Sequence, residues 1–391
     1  MTEVFLSRQP LVNRQNRIIA SRLTLHLGSH GDTRDAASAL EALADVWPRG
    51  EKTLFVNCHG RACDARLFDW AAPPNAAIEL PAGALVGEQR SELIPALETW
   101  QPTLCLHFDP QAASAFASGV EYRFIGFDAQ RFTLPQLKIL AARTRPMGIG
   151  IAFNVTTPED FQGCLDAGIS AACGWFFTTP SGAPAKALNP GQANIVRILN
   201  LVRTNAEIRE IEAALKLDVA ISYKLLRYIN SAGFGLSCEI QSFRHAVTML
   251  GYEKLNRWLS LLLATASKDP LAPALMHTAL CRARLMELLA HGLVDKSEYD
   301  NLFICGAFSL LEALLGVHME RALETMRLPD AVSDALLGQG GRYAPFLDLA
   351  LSGEGDDGEQ LADQAAMLGL TAAQFNRAQL QALSFAEAME L

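Results

Sequence analysis

The stretch Glu3–Leu27, "EVFLSRQPLVNRQNRIIASRLTLHL", decides the fold. Two strand-like runs flank Asn13-Arg14-Gln15-Asn16, whose polar residues suit a tight connection, so the chain opens with a hairpin. Six apolar runs follow: "TLFVN", "AAIEL", "TLCLHF", "YRFIGF", "GIGIAF" and "ACGWFF". Between them lie segments of helical composition, among them "DAASALEALADVW", "ELIPALETW", "LPQLKILAARTR" and "PEDFQGCLDAG". Strand, helix and strand at this spacing imply parallel strands joined by crossovers. Six such strands behind a hairpin predict a barrel or a reduced barrel, with polar groups at the strand C-termini forming any site.

The pattern breaks at "TTPSGAPAKALNP", where three prolines and small residues read as a linker over 179–190. Beyond it the period is helical. In "LDVAISYKLLRYINSAGFG", Ile221, Leu225, Leu226 and Ile229 share one face, Asp218 suits an N-cap and Gly233 closes the helix. "SFRHAVTMLGYEKLNRWLSLLLA" repeats the idea, with Ala246, Val247 and Leu250 inward and Gly251 at a corner between helices. Helices continue to the C-terminus. Only "ALSGEGDDGEQ" is turn-rich and acidic; Glu354-Gly355-Asp356-Asp357 reads as a solvated loop, since a calcium loop needs more oxygens at regular spacing. The fold class is therefore multidomain, α/β plus all-α: a barrel over 1–178, a linker over 179–190 and a helical domain over 191–391.

Composition narrows the function classes. The chain of 391 residues is half apolar and carries a formal charge of −9. That is enough for two or three cored domains and argues against a nonspecific nucleic-acid binder, which needs a basic face. The N-terminus lacks the features of a secretory signal, and "WLSLLLATA" is too short to span a membrane, so a cytoplasmic protein is expected. Eight cysteines form no CxxC pair and read as reduced core fillers. A lone helical histidine such as His245 or His277 is more often a satisfied residue than a metal ligand. Tyr223, Tyr228, Phe234 and Trp258 offer an interaction face, although helical spacing favours core packing.

In sequence order, "SRQPLV", "RIIASRLTLHL", "FVNCHG", "IELPAG", "LCLHFDP", "FIGFD", "IAFNVTTPEDF" and "CGWFFTTP" resemble the strand-end motifs of EAL-type cyclic-di-GMP phosphodiesterase domains. The helical half, through "LKLDVAISYKLLRYINSAGFG" and "AVTMLGYEKLNRWL", resembles an HDOD domain, the output-type relative of HD phosphohydrolases. Together the halves are similar to EAL-HDOD signalling proteins of the YuxH type, over nearly the whole chain. The resemblance implies a TIM-like barrel followed by an all-helical domain, and a site at the barrel mouth.

That family's chemistry uses acidic oxygens to hold two divalent ions. Arg22 stands where the family's signature Glu belongs, and a guanidinium there repels a metal. Asn57 and Glu79 match family ligands, while Ala82 replaces a loop-steadying Glu. His107-Phe108 replaces a pair of aspartates; sliding to Asp109 would turn the whole strand over. Gly126 replaces a lysine, Asp128 is retained, Phe153 and Thr156 replace glutamates, and Cys173 replaces a glutamine. Gln9 matches a ligand-contacting segment, whereas His26 stands where a ligand-binding arginine belongs. The tripeptides Glu41-Ala42-Leu43 and Glu312-Ala313-Leu314 fall mid-helix and read as decoys. No His-Asp dipeptide occurs, so the HD metal motif is missing too.

The expectation is a catalytically inactive signalling adaptor, not an enzyme, without catalytic residues, metal or cofactor, whose two domains bind other signalling proteins. The alternative is a non-hydrolysing cyclic-di-GMP receptor, with Gln9, Arg22, Asn57, Glu79, His107 and Asp128 as the vestigial ligand-binding set. Homodimerisation is left open.

Overall fold

The computed structural model describes residues 3–28, 31–58, 64–178, 188, 190–216, 221, 243–265, 270–324, 326 and 328–389. Most of the 179–190 linker therefore lies outside the described residues, as do Cys63, Cys238, Asp218, Tyr223, Leu225, Leu226, Tyr228, Ile229, Gly233 and Phe234.

The opening hairpin forms as its sequence requires. Strands β1 (Val4–Asn13) and β2 (Ile18–Leu27) pair antiparallel, with Gln9 opposite Arg22. At the turn the Asn13 carboxamide oxygen accepts from the Gln15 and Arg17 amides, and Asn16 adopts φ +58°, a conformation asparagine tolerates. Parallel strands follow: β3 (Thr53–Cys58), β4 (Ala76–Pro81), β5 (Thr103–His107), β6 (Phe124–Asp128), β7 (Ile149–Phe153) and β8 (Ala171–Cys173). β8 returns to pair antiparallel with β1, and the eight strands close in sequence order. The barrel is reduced in its helical ring, because among the described residues the connections after β3 and β5 carry only 3-10 turns, Ala65–Asp69 and Pro110–Ala117. Full helices follow β2, β6 and β7 at Thr33–Glu41, Leu134–Thr144 and Pro158–Asp166. Glu41-Ala42-Leu43 sits at the end of the first of these rather than within it.

One expected strand is shorter than its sequence suggests. "ACGWFF" leaves the sheet at Cys173 because Gly174 adopts φ +149°, where an added Cβ would lie 2.0 Å from the Val155 carbonyl oxygen. β8 therefore pairs with β1 only over Leu11–Asn13. The other end of that β1 edge is completed by the last part of the chain. In the helix Ala372–Ala388, the Asn376 side chain accepts from the Leu6 amide at 2.9 Å and donates to the Val4 carbonyl at 2.7 Å. Gln379 donates to the Leu6 carbonyl at 2.8 Å, and the Arg8 amide donates to the Gly353 carbonyl at 2.8 Å. Phe375 packs on Phe5. Side-chain amides thus do the work of a neighbouring strand on backbone groups that burial would otherwise leave unpaired.

The compact units are accordingly Met1–Thr179 with Pro345–Leu391, and Pro180–Ala344. This differs from the sequence reading, which placed all of 191–391 in the helical domain. Helical period identifies a helix but not what it packs against.

The second unit is built from consecutive helices, including Pro190–Arg203, Phe243–Thr265, Ala272–Leu289 and Tyr299–Phe308. Gly251, at φ +72°, breaks the second of these at the expected corner. Gly306 allows a close helix crossing, since a Cβ there would sit 2.6 Å from the Arg282 carbonyl oxygen. Trp258 is core, not surface. A buried carboxylate, Glu287, is held by Arg257 and Arg284, and Arg257 lies over the ring of Phe303. His245 is exposed and His277 buried, and no cluster of metal-ligating side chains occurs among the described residues.

Candidate functional site at the barrel mouth

Strand alternation decides what faces inward. The lower interior is apolar, with Leu11, Ala20, Phe55, Phe124 and Ile151 in one buried cluster. One step toward the strand C-termini the same alternation places Gln9, Arg22, Glu79 and His107. Arg22 grips Glu79 with two groups: Nε lies 2.8 Å from Oε1 and Nη2 2.7 Å from Oε2. His107 Nε2 is 2.9 Å from the same Oε2. The Phe153 ring lies under the Arg22 guanidinium at 4.8 Å and beside the His107 ring at 4.7 Å.

Gly126 is what lets His107 lie across β6, because a Cβ there would come 2.9 Å from Nδ1. The histidine therefore takes the space opened where the resemblance expects a lysine. Burial alone would push the Glu79 carboxyl up. The Arg22 charge and the His107 hydrogen bond outweigh it and bring the carboxyl down to about 2. Burial acts against the Arg22 charge, but Glu79 reverses this and raises its pKa. Cys173, beside Gln9, is pushed up to about 12 by burial, so it is a protonated filler rather than a nucleophile.

Of the six residues singled out in the sequence, the structure joins three directly, Arg22, Glu79 and His107, with Gln9 across the hairpin from Arg22. Asn57 lies one residue before the end of β3, opposite Thr24 and outside this network. Asp128 spends its carboxylate on the turn, accepting from the Gln130 amide. Asp109 does the same for the Gln111 amide. Phe108 and Phe127 belong to an aromatic cluster with Phe116 and Phe132.

The structure adds three things to the sequence reading: the Thr24 hydroxyl, a partner for His26 and the position of the acidic loop. Thr24, on the same face of β2 as Arg22, has a buried hydroxyl with no hydrogen-bond partner. His26 is buried and bonded to Ser7 through Nε2. Most consequentially, the acidic loop expected to be solvated lies at the mouth. The Trp175 indole donates to the Glu354 carbonyl at 2.7 Å, Glu354 pairs with Arg8 at 3.7 Å, and Gln9 Nε2 is 3.4 Å from Asp356 Oδ1. Glu354 is buried. Nothing in the local pattern of 350–360 signals this; the only hint is a β1 strand too long for its neighbour.

The strand residues do not fit the two divalent ions that the resemblance implies. Both Glu79 oxygens already accept from Arg22, one also meets His107, and the guanidinium would stand beside any added dication.

Comparison with known proteins places these observations. Residues 190–324 match the HDOD domain family. A cyclic di-GMP phosphodiesterase, CdgJ of Vibrio cholerae, is 25% identical over 370 residues, covering 89% of this chain and 84% of that protein. The uncharacterized protein YuxH of Bacillus subtilis is 27% identical over 370 residues, covering 88% of this chain and 89% of that protein. Among solved structures, Klebsiella pneumoniae BlrP1 in its manganese and cyclic di-GMP complex is similar over 44% of this chain and 55% of that one, at 16% identity and a TM-score of 0.36.

The expectation that the chain is not an enzyme is corrected by the first relative, whose name is that of a phosphodiesterase. The expectation counted carboxylates on the barrel strands alone. The mouth also carries Glu354 and Asp356, supplied from the far end of the chain, so that count was incomplete. Among the described residues no helix is long and apolar enough to cross a membrane.

Proposed function

We infer that the match to the HDOD family beside a closed eight-stranded barrel makes this an EAL-HDOD protein. From that premise we propose that it acts in cyclic-di-GMP signalling by engaging the dinucleotide at the barrel mouth through its phosphates. The observation that carries this reading is the Arg22–Glu79–His107 network. It gathers the Arg22 guanidinium and the His107 ring nitrogen around one carboxylate oxygen at the open end of a barrel, hydrogen-bonding groups of the kind that a phosphodiester engages. The partnerless Thr24 hydroxyl on the same strand face adds a group that a polar ligand would satisfy.

The HDOD domain supplies the second half of the reading, a surface that passes the state of the barrel to another signalling protein. We place the protein in the cytoplasm, where its buried free thiols stay reduced.

Calorimetry with cyclic-di-GMP, with and without magnesium, tests the proposal, and chromatography of the same samples reads any linear product. Micromolar binding that weakens about tenfold or more in His107→Ala and Gln9→Ala supports it. Absence of heat at millimolar dinucleotide overturns it. Linear product formed only with metal would assign the relative's named activity to this chain as well.

A further inference from the structure

The loop Gly353–Gly358 crosses the mouth end of three strands. It is tied to the end of β8 through Trp175, to β1 through the Arg8 amide and side chain, and it rests on β2 at His26. At that last point a Cβ on Gly358 would fall 2.6 Å from the His26 Cβ, so only glycine allows so close an approach.

Its three carboxylates have different tasks. Glu354 pairs with Arg8 and is buried. Asp357 caps the next helix, Gly358–Met367, accepting from the Glu359 and Gln360 amides. Asp356 does neither. It is exposed, its hydrogen bond goes to Gln9, and its charge reaches Arg22 and Cys173 inside the barrel. A carboxylate that serves no fold element but sits on the amide of a ligand-site residue stands where an anion would be received.

We propose that Asp356 is an internal competitor for the anion site: its carboxylate holds the Gln9 amide and offsets the Arg22 charge, so that a phosphate-bearing ligand binds only by displacing it. Asp356 therefore sets the affinity threshold of the mouth and its discrimination between anions. The inference rests on the reading of the mouth as a phosphate site, and it adds a residue more than 300 positions away in sequence from Gln9.

The test compares Asp356→Asn with Asp357→Asn and the wild-type full chain, by calorimetry with cyclic-di-GMP at two salt concentrations. Removing one charge close to the ligand phosphates should tighten binding about three- to tenfold at low salt, and less at high salt. Asp357→Asn keeps its capping oxygen and should change affinity by less than about twofold. Equal affinity in Asp356→Asn and wild type overturns the inference, and so does an equal gain in both variants, which would report net charge alone.

If neither wild type nor variant binds the dinucleotide, the functional reading fails, and pyrophosphate in the same calorimeter then judges the inference. A gain of about threefold or more in Asp356→Asn sustains it. No difference between the two proteins, including no binding by either, overturns it.

Discussion

Glu79 in the barrel and Glu287 in the helical unit are both buried carboxylates gripped by two basic side chains, and they are assembled in opposite ways. Glu287 meets Arg284 three residues away on its own helix and Arg257 on the preceding one. Both arginines remain about a quarter exposed, at 24% and 30%. Glu79 draws its partners from two other strands, 57 and 28 residues distant, and Arg22 is only 11% exposed. The helical clamp can form as soon as adjacent helices meet. The barrel clamp requires the inward faces of β2, β4 and β5 to be in register. Charge in the barrel therefore depends on closure, which β8 provides over Leu11–Asn13 and which the helix Ala372–Ala388 completes along the β1 edge at Val4 and Leu6.

The strongest way to break this comparison is to end the chain after Ala344. All eight strands remain, but Asn376, Gln379 and Phe375 are gone, and the β1 edge is left open beneath a hydrophobic face. The expected result is loss of the cooperative barrel transition and insolubility, read by thermal unfolding monitored by circular dichroism. A soluble protein with an unchanged barrel transition would refute the dependence.

Next in size is Glu79→Gln, which leaves the Arg22 charge buried without its partner and should cost about 3–5 kcal/mol in denaturant unfolding. The pH dependence has a definite sign. The Glu79 carboxyl is depressed in the folded chain, from 4.5 to about 2. Its contribution is therefore complete above about pH 4.5 and is lost as pH falls toward 2, up to roughly 3 kcal/mol. Wild type should lose stability across that window, and Glu79→Gln should show a shallower fall.

Glu287→Gln sharpens the contrast. Its arginines reach solvent, so the same substitution should cost only about 1–3 kcal/mol; a cost equal to that of Glu79→Gln would erase the distinction. Smallest is Gly126→Ala, which crowds the His107 ring. That ring is a quarter exposed and can swing away, so about 1 kcal/mol of stability should be lost, with weaker binding at the mouth as the clearer readout.

Much of the barrel was legible because its signals are local. The hairpin turn at Asn13–Asn16, the six following apolar runs and the alternation that turns Arg22, Glu79 and His107 to one side can all be read over short windows. Gly174 was not read as a strand stop, because a glycine inside an apolar run resembles strand until its φ is known. Asp356 and Asn376 were invisible for a different reason. Each belongs to an ordinary helix or loop, and its partner, Gln9 or Leu6, lies at the other end of the chain. Asn57 and Asp128 carry family-like chemistry, yet neither joins the Arg22 network.

The sealing of β1 by the helix Ala372–Ala388 has a consequence for biosynthesis. Strand β1 cannot have all its backbone groups satisfied until the helix Ala372–Ala388 has been made, with the whole Pro180–Ala344 unit translated in between. Throughout that interval the nascent barrel exposes a ragged edge, the kind of surface that holding chaperones shield. Assembly of this unit therefore waits in its final step on a segment made after the helical unit, even though its strands are made before it.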